Sequence, residues 1–286
     1  MTVANGLHPD KDTALSSWRR CGDNVVHALT ILARPAKIHP RQPWATSRQI
    51  AIVAAIVIAV VLFCILLIDA PVTRAVLHLP RWAIWPFDQI TDYGKSGWFL
   101  WPLGLIFLAL AALPVPATRI SQAVLAAVMV RVGFLFTAIA LPGLFDAIIK
   151  RMIGRARPTV SLAAGHVDPF LFKPFIWRAD YASLPSGHAT TAFSVMVAVS
   201  CLWPRARTVA LLYAVAIALS RIVVLGHFPS DVIAGAVVGT VGTLLVRYYF
   251  ALRRLGFAIG PDGTLHQLPG PSLKRLKAVA RELLAP

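Results

Sequence analysis

Six apolar runs, each near the ~20 residues needed to cross a bilayer, constrain this chain more than any other feature. They cover roughly 50 to 68, 97 to 114, 132 to 149, 189 to 204, 207 to 225 and 231 to 250. In hydrocarbon every backbone polar group needs an internal partner, so runs of this kind fold as helices. Only 14% of residues are charged and 57% are hydrophobic, against about 25% charged in an ordinary soluble domain. The chain therefore reads as an all-α polytopic membrane protein, a six-transmembrane-helix bundle with amphipathic tails. Its expected parts are an N-terminal tail over 1–48, a six-span unit over 49–250 and a C-terminal tail over 251–286.

The first run is of full length and is preceded by a polar segment, so it is expected to act as an uncleaved span rather than a signal peptide. Cys64 and Cys201 fall inside spans, and with Cys21 they suggest no disulfide framework. A net charge of +16 would suggest nucleic acid in a soluble protein. Here the cations flank spans, so anionic lipid is the expected partner and nucleic acid is not. Arg19, Arg20, Arg34, Lys37, Arg41 and Arg48 precede the first span, and Arg253, Arg254, Lys274, Arg275, Lys277 and Arg281 follow the last. Positive charge tends to stay inside, so both termini are expected in the cytoplasm. Segments 15 to 34 and 272 to 284 each carry an apolar side beside cations, which fits either an interfacial helix or a solvated tail.

Arg131 would sit at mid-depth if the third crossing began at Ser121, so the crossing is expected to start at Val132. The first, third and fifth connections then share the outer face. At that face lie three polar segments: Lys150 with Arg157-Pro158; Pro185-Ser186-Gly187-His188; and Ser220-Arg221 with His227 and Asp231. Lys150, Arg157 and Arg221 have the chemistry to neutralise a phosphate, arginine as a planar fork and lysine as a point charge. Lys150 also fits simple snorkelling at a helix end or pairing with Asp146. The Pro185–His188 segment opens a helix whose free N–H groups, with the Ser186 hydroxyl and the close approach that Gly187 permits, suit an anion. His188 then stands beside the anion with a proton to give, or is a capping histidine. Asp231 follows His227 by four residues and can orient its imidazole for attack on phosphorus; an acid at that position also suits a helix N-terminus.

Together the three segments resemble the signature of the type 2 phosphatidic acid phosphatase superfamily. That pattern is a lysine six residues before Arg-Pro, then Pro-Ser-Gly-His, then Ser-Arg with His five residues on and Asp three further. This sequence meets it without substitution over about 146–235. The resemblance implies His227 as the nucleophile of a phosphohistidine intermediate, Asp231 as its orienter and His188 as general acid. It implies Lys150, Arg157, Ser186, Gly187 and Arg221 as phosphate ligands, with no metal and no cofactor. Lys95, Lys173 and Arg178 are candidates for the substrate headgroup, or parts of interfacial loops. The implied activity is hydrolysis of a membrane lipid phosphate or pyrophosphate at the outer face of a bacterial-type inner membrane. Undecaprenyl pyrophosphate, phosphatidylglycerol phosphate, phosphatidic acid and lipid A phosphate all qualify as substrate. Phosphotransfer through the same site and, from another class, lipid or anion transport are the alternatives. Nothing in the sequence sets the oligomeric state.

Overall fold

The computed structural model describes residues 19, 22–26, 29–30, 33, 35–37, 46–113 and 118–284. The amphipathic segment expected over 15 to 34 lies partly outside them. Thr46 opens the first long helix: its hydroxyl accepts from the Gln49 N–H at 3.2 Å, and the Gln49 side chain accepts from the Thr46 N–H at 2.9 Å. This reciprocal cap satisfies donors that the helix itself leaves free. Helix α1 (Ser47–Leu77) continues for 31 residues, well past the apolar run. It passes through a wide turn at Cys64–Ile68, just ahead of Pro71, which has no N–H to give to the preceding turn. The wide turn delivers Asp69 into the protein, fully buried.

Next come α2 (Arg81–Thr91), a tight turn at Asp92–Gly94, α3 (Gly97–Ala112), α4 (Arg119–Ile153) and the short α5 (Pro158–Ala163). They are followed by α6 (Gly187–Leu202), α7 (Arg207–Val223) and α8 (Pro229–Leu252). Among the described residues, five segments are long and apolar enough to cross a membrane: Ser47–Leu77, Arg81–Ala112, Arg119–Ile153, Pro204–Val223 and Pro229–Leu252. The expected fourth span, α6, has 16 residues, about 24 Å of helix against a hydrocarbon core of about 30 Å. Its length is explained by its place, since it packs on α8, α7 and α4 and is enclosed by protein rather than lipid. The helix that carries the third crossing starts at Arg119, ahead of the crossing expected from Val132. Arg131 is accommodated by protein: its guanidinium donates to Ala127 O at 2.8 Å and Leu268 O at 2.9 Å.

The tightest helix contact is between α6 and α8. A Cβ added at Gly235 would overlap the Ser186 carbonyl, and one at Gly239 would overlap the Thr190 carbonyl and lie 3.0 Å from the Ser194 N. Two glycines four apart on α8 thus let the helices approach backbone to backbone, as small residues do in membrane helix pairs. At the end of the bundle remote from the three motifs, Phe134 packs edge-on against Phe250 and Phe257, with centroids 5.4 and 4.7 Å apart. Phe257 belongs to a two-stranded hairpin, β1 (Phe257–Ile259) with β2 (Leu265–Gln267), which the all-α expectation did not include. Beyond it, α9 (Leu273–Leu284) buries Val279 and is tied to the start of α4 by Glu282. That carboxylate accepts from the Ser121 hydroxyl at 2.5 Å. Its cations remain exposed.

The motif-bearing end is held by a buried charge network. Arg155, fully buried, donates to Asp69 at 2.7 Å and to Asp231 at 2.6 Å. Asp69 also accepts from the Ser230 N–H at 2.9 Å and the Ser230 hydroxyl at 2.5 Å. The end of α1 is thereby fastened to the start of α8. Removing one partner of a buried pair typically costs about 3–5 kcal/mol, because the other charge is left uncompensated. Asp69→Ala is therefore expected to lower the thermal unfolding midpoint in detergent by several degrees, with Asp69→Asn intermediate; an unchanged midpoint would contradict this role. Gly239→Ala should also destabilise, by about 1–3 kcal/mol for overpacking, in the same measurement.

Candidate active site

Each motif sits at a helix end, and all are at one end of the bundle. Lys150 lies in the last turn of α4 and forms an ion pair with Asp146, one turn earlier. Asp146 is in turn within 3.2 Å of the Thr190 hydroxyl. A Cβ at Gly187 would lie 2.9 Å from Lys150 Nζ, so the missing side chain is what lets the ammonium reach the start of α6. Ser186 caps that start. Its N–H donates to the Asp231 carbonyl at 2.9 Å, which joins the second motif to the third. The Ser186 hydroxyl is buried and has no hydrogen-bond partner among the described residues.

The third motif wraps back on itself. The Arg221 carbonyl accepts from both the Gly226 N–H at 3.0 Å and the His227 N–H at 3.1 Å, which closes the turn between α7 and α8. His227 is buried, and its Nδ1 is 2.8 Å from the Ser183 carbonyl oxygen. A carbonyl can only accept, so Nδ1 carries the proton and Nε2 keeps its lone pair. Asp231 Oδ2 is 3.8 Å from the same nitrogen, too far for a hydrogen bond. It accepts instead from the Ser183 hydroxyl at 2.6 Å and the Phe228 N–H at 2.9 Å. Asp231 thus orients His227 at one remove, by fixing the residue that holds the imidazole and the residue that follows it.

Burial pushes the His227 imidazole down to about 4, with the Arg157 and Arg221 charges acting in the same direction and Asp231 opposing. Both arginines therefore bear on His227. Arg157 Nε donates to the Ala179 carbonyl at 3.1 Å, and Arg221, 8% exposed, donates to the Thr91 hydroxyl at 2.5 Å. Arg221 Nε is buried without a partner among the described residues. Two unpaired buried donors, Ser186 Oγ–H and Arg221 Nε–H, suit an anion with acceptor oxygens on both sides. Among the described residues, no three His, Cys, Asp or Glu side chains are grouped as a metal site.

His188 is half-buried and packs against Gly94, where an added Cβ would lie 2.9 Å from the imidazole Cδ2. It lines a cleft of about 470 Å³ with Lys150, Gly187 and Lys95, continued by the apolar residues Leu100, Ala140, Leu144 and Ala147. Of the three headgroup candidates, only Lys95 lines this cleft, and it is paired with Asp92 at 2.9 Å. Lys173 stacks on the Tyr181 ring at 5.1 Å, and Arg178 pairs with Asp180 at 3.1 Å. Asp69, Thr91, Arg155 and Ser183 lie outside the three motif segments and were not among the residues expected from sequence. A lone aspartate at the end of an apolar run was the available signal for Asp69; nothing in the sequence marked Ser183.

The model of the PAP2 superfamily matches residues 131–255. The chain is 33% identical over 204 residues to the lipid A 1-phosphatase of Rhizobium johnstonii, an overlap of 71% of this chain and 82% of that protein. It is 34% identical over 209 residues to the lipid A 1-phosphatase of Rhizobium etli, covering 73% and 88%. Among solved structures, the transmembrane PAP2 type phosphatidylglycerolphosphate phosphatase of Bacillus subtilis is 19% identical and overlaps 80% of this chain and 95% of that one, with a TM-score of 0.44. One-third identity carried over seven-tenths of the chain, with all three motif segments inside the matched region, makes this protein a member of the PAP2 superfamily.

Proposed function

We propose that the protein is a membrane lipid phosphatase that works through a phosphohistidine. The observation that carries this reading is the tautomer of His227: its proton is held on Nδ1 by the Ser183 carbonyl, so Nε2 is free to attack, and two arginines bear on the same ring. In the first step Nε2 bonds to phosphorus as the phosphorus–oxygen bond to the leaving group breaks, and His188 gives that oxygen its proton. In the second, His188 takes a proton from water as the water displaces His227, releasing inorganic phosphate. Lys150, Arg157, Arg221, Ser186 and the N–H groups at the start of α6 stabilise the charge on the phosphoryl oxygens, so the scheme needs no metal.

The relatives' activity makes the 1-phosphate of lipid A the first substrate to test. The apolar continuation of the cleft beyond Lys150 and His188 supports a lipid over a soluble ester. The proposed arrangement in the membrane has α6 completing six crossings within 49–250, the motif end facing the periplasm and both tails, 1–48 and 251–286, in the cytoplasm. A panel of lipid phosphates incubated with purified protein, with and without chelator and with no added acceptor, tests substrate, metal and reaction type together. Release of inorganic phosphate from the lipid A 1-position, insensitive to chelator, is expected; transfer without release would favour a phosphotransferase.

His227→Ala is expected to abolish phosphate release, by at least about 10³-fold given what loss of a nucleophile costs, while lipid binding persists. Undiminished turnover would overturn the mechanism. The pH profile gives a second test. His227 must be neutral to attack, and its proton is lost already above about 4, so activity should survive acidification through the ordinary histidine range near 6.5. The acid limb of kcat/KM, which reports the free enzyme, is expected nearer pH 4 than 6.5 once the substrate's own ionisation is allowed for. A limb centred on 6.5 would mean that an exposed imidazole, not this one, controls the reaction.

A further inference from the structure

Arg221 belongs to the third motif, but the groups that aim it do not. Its Nη1 donates to the hydroxyl of Thr91 at 2.5 Å. Thr91 is the last residue of α2, buried, and lies far from all three motifs in sequence. On the other side, the guanidinium lies along the backbone of Gly226. A Cβ there would overlap Nη2, stand 2.8 Å from Cζ and 3.3 Å from Nε. Gly226 is itself held, since its N–H donates to the Arg221 carbonyl at 3.0 Å. The fork is therefore fixed between a hydroxyl and a bare stretch of backbone, and Nε–H is left buried with no partner among the described residues.

We propose that Thr91 and Gly226 are positioning residues that set the Arg221 fork so that its Nε edge meets a phosphoryl oxygen. The proposal rests on the phosphatase reading and adds to it a component outside the motifs. An arginine side chain has many rotamers, and a planar fork binds an anion well only when its orientation is fixed beforehand. Thr91 supplies a hydrogen bond to Nη1. Gly226 supplies the room, and any side chain at 226 would push the guanidinium aside. The backbone at 226 is outside the left-handed region that only glycine adopts readily, so alanine is compatible with the chain path and its effect falls on the flexible end of Arg221.

The test uses the full-length protein in detergent, with the Kd for inorganic phosphate by calorimetry and kcat/KM for phosphate release from a lipid phosphate. Thr91→Val and Gly226→Ala are each expected to weaken phosphate binding and lower kcat/KM about tenfold, the scale of one misaligned charge-assisted hydrogen bond. Their thermal midpoints should stay near that of the wild type. Thr91→Ser, which keeps the hydroxyl, should remain within about twofold of wild type on the same scale. In an Arg221→Ala background, Thr91→Val should have no further effect, because the two residues act through one interaction. Unchanged phosphate affinity in both variants, or effects that add in full to Arg221→Ala, would overturn the proposal. Phosphate binding needs no turnover, so a wild type that binds phosphate but releases none from any lipid would refute the phosphatase reading and leave the positioning result to be judged separately.

Discussion

A guanidinium held between two carboxylates inside a membrane protein is the interaction on which the rest of the site depends. Arg155 has no exposed surface, and its donors are taken by Asp69, Asp231, Ser230 and the Pro169 carbonyl, with the Phe228 ring 4.5 Å from its charge. A charge buried this deeply is tolerated only when its hydrogen bonds are complete. Completeness imposes geometry. Asp231 cannot turn without stranding Arg155; Ser183 cannot turn without releasing Asp231; and the Ser183 carbonyl is what fixes the His227 tautomer. The same network draws α1 against α8, so the first helix, which carries no motif, is part of the scaffold of the candidate site.

The placement of the three motifs was legible in the sequence, and the reason is physical. Each lies at the end of an apolar run, and helices of a bundle put alternate ends on the same side, so counting runs was enough to bring Lys150, His188, Arg221 and His227 to one end. What supports them was not legible. Asp69 and Arg155 are 86 residues apart, and no periodicity links an acid on one helix to a cation in a loop. The spacing of Gly235 and Gly239 was available as a small-residue pattern, but the partner they admit, the backbone of α6 at Ser186 and Thr190, is a tertiary fact. The hairpin escaped for another reason: short strands beside cations look like any polar tail until Phe257 finds Phe134. The pattern over 272 to 284 did allow a helix, but not the contact of Glu282 with Ser121 that ties it down.

Asp231 illustrates how spacing can locate a residue without giving its contacts. Four residues separate it from His227, which suggests a direct carboxylate–imidazole bond. The intervening proline turn instead aims the carboxylate at the Phe228 N–H and the Ser183 hydroxyl. One acid thereby caps the start of α8 and steadies the residue that holds the His227 imidazole. Asp231 still acts to raise the imidazole towards protonation, but burial outweighs it and His227 stays well below its ordinary value.

The short central helix is best understood together with this low value. A full-length span would carry its N-terminus out to the level of the lipid headgroups, where water screens the partial charge of the free N–H groups. Helix α6 begins inside the protein instead, with Ser186 fully buried and the glycines of α8 drawing its first turns inward. In that low-dielectric setting the fields of the N–H groups, Lys150 and Arg221 are screened far less than in water. The same setting penalises a charged imidazole. Burial therefore does two things at once: it lessens the screening of the charges and free N–H groups at the start of α6, and it holds the His227 imidazole well below its ordinary value.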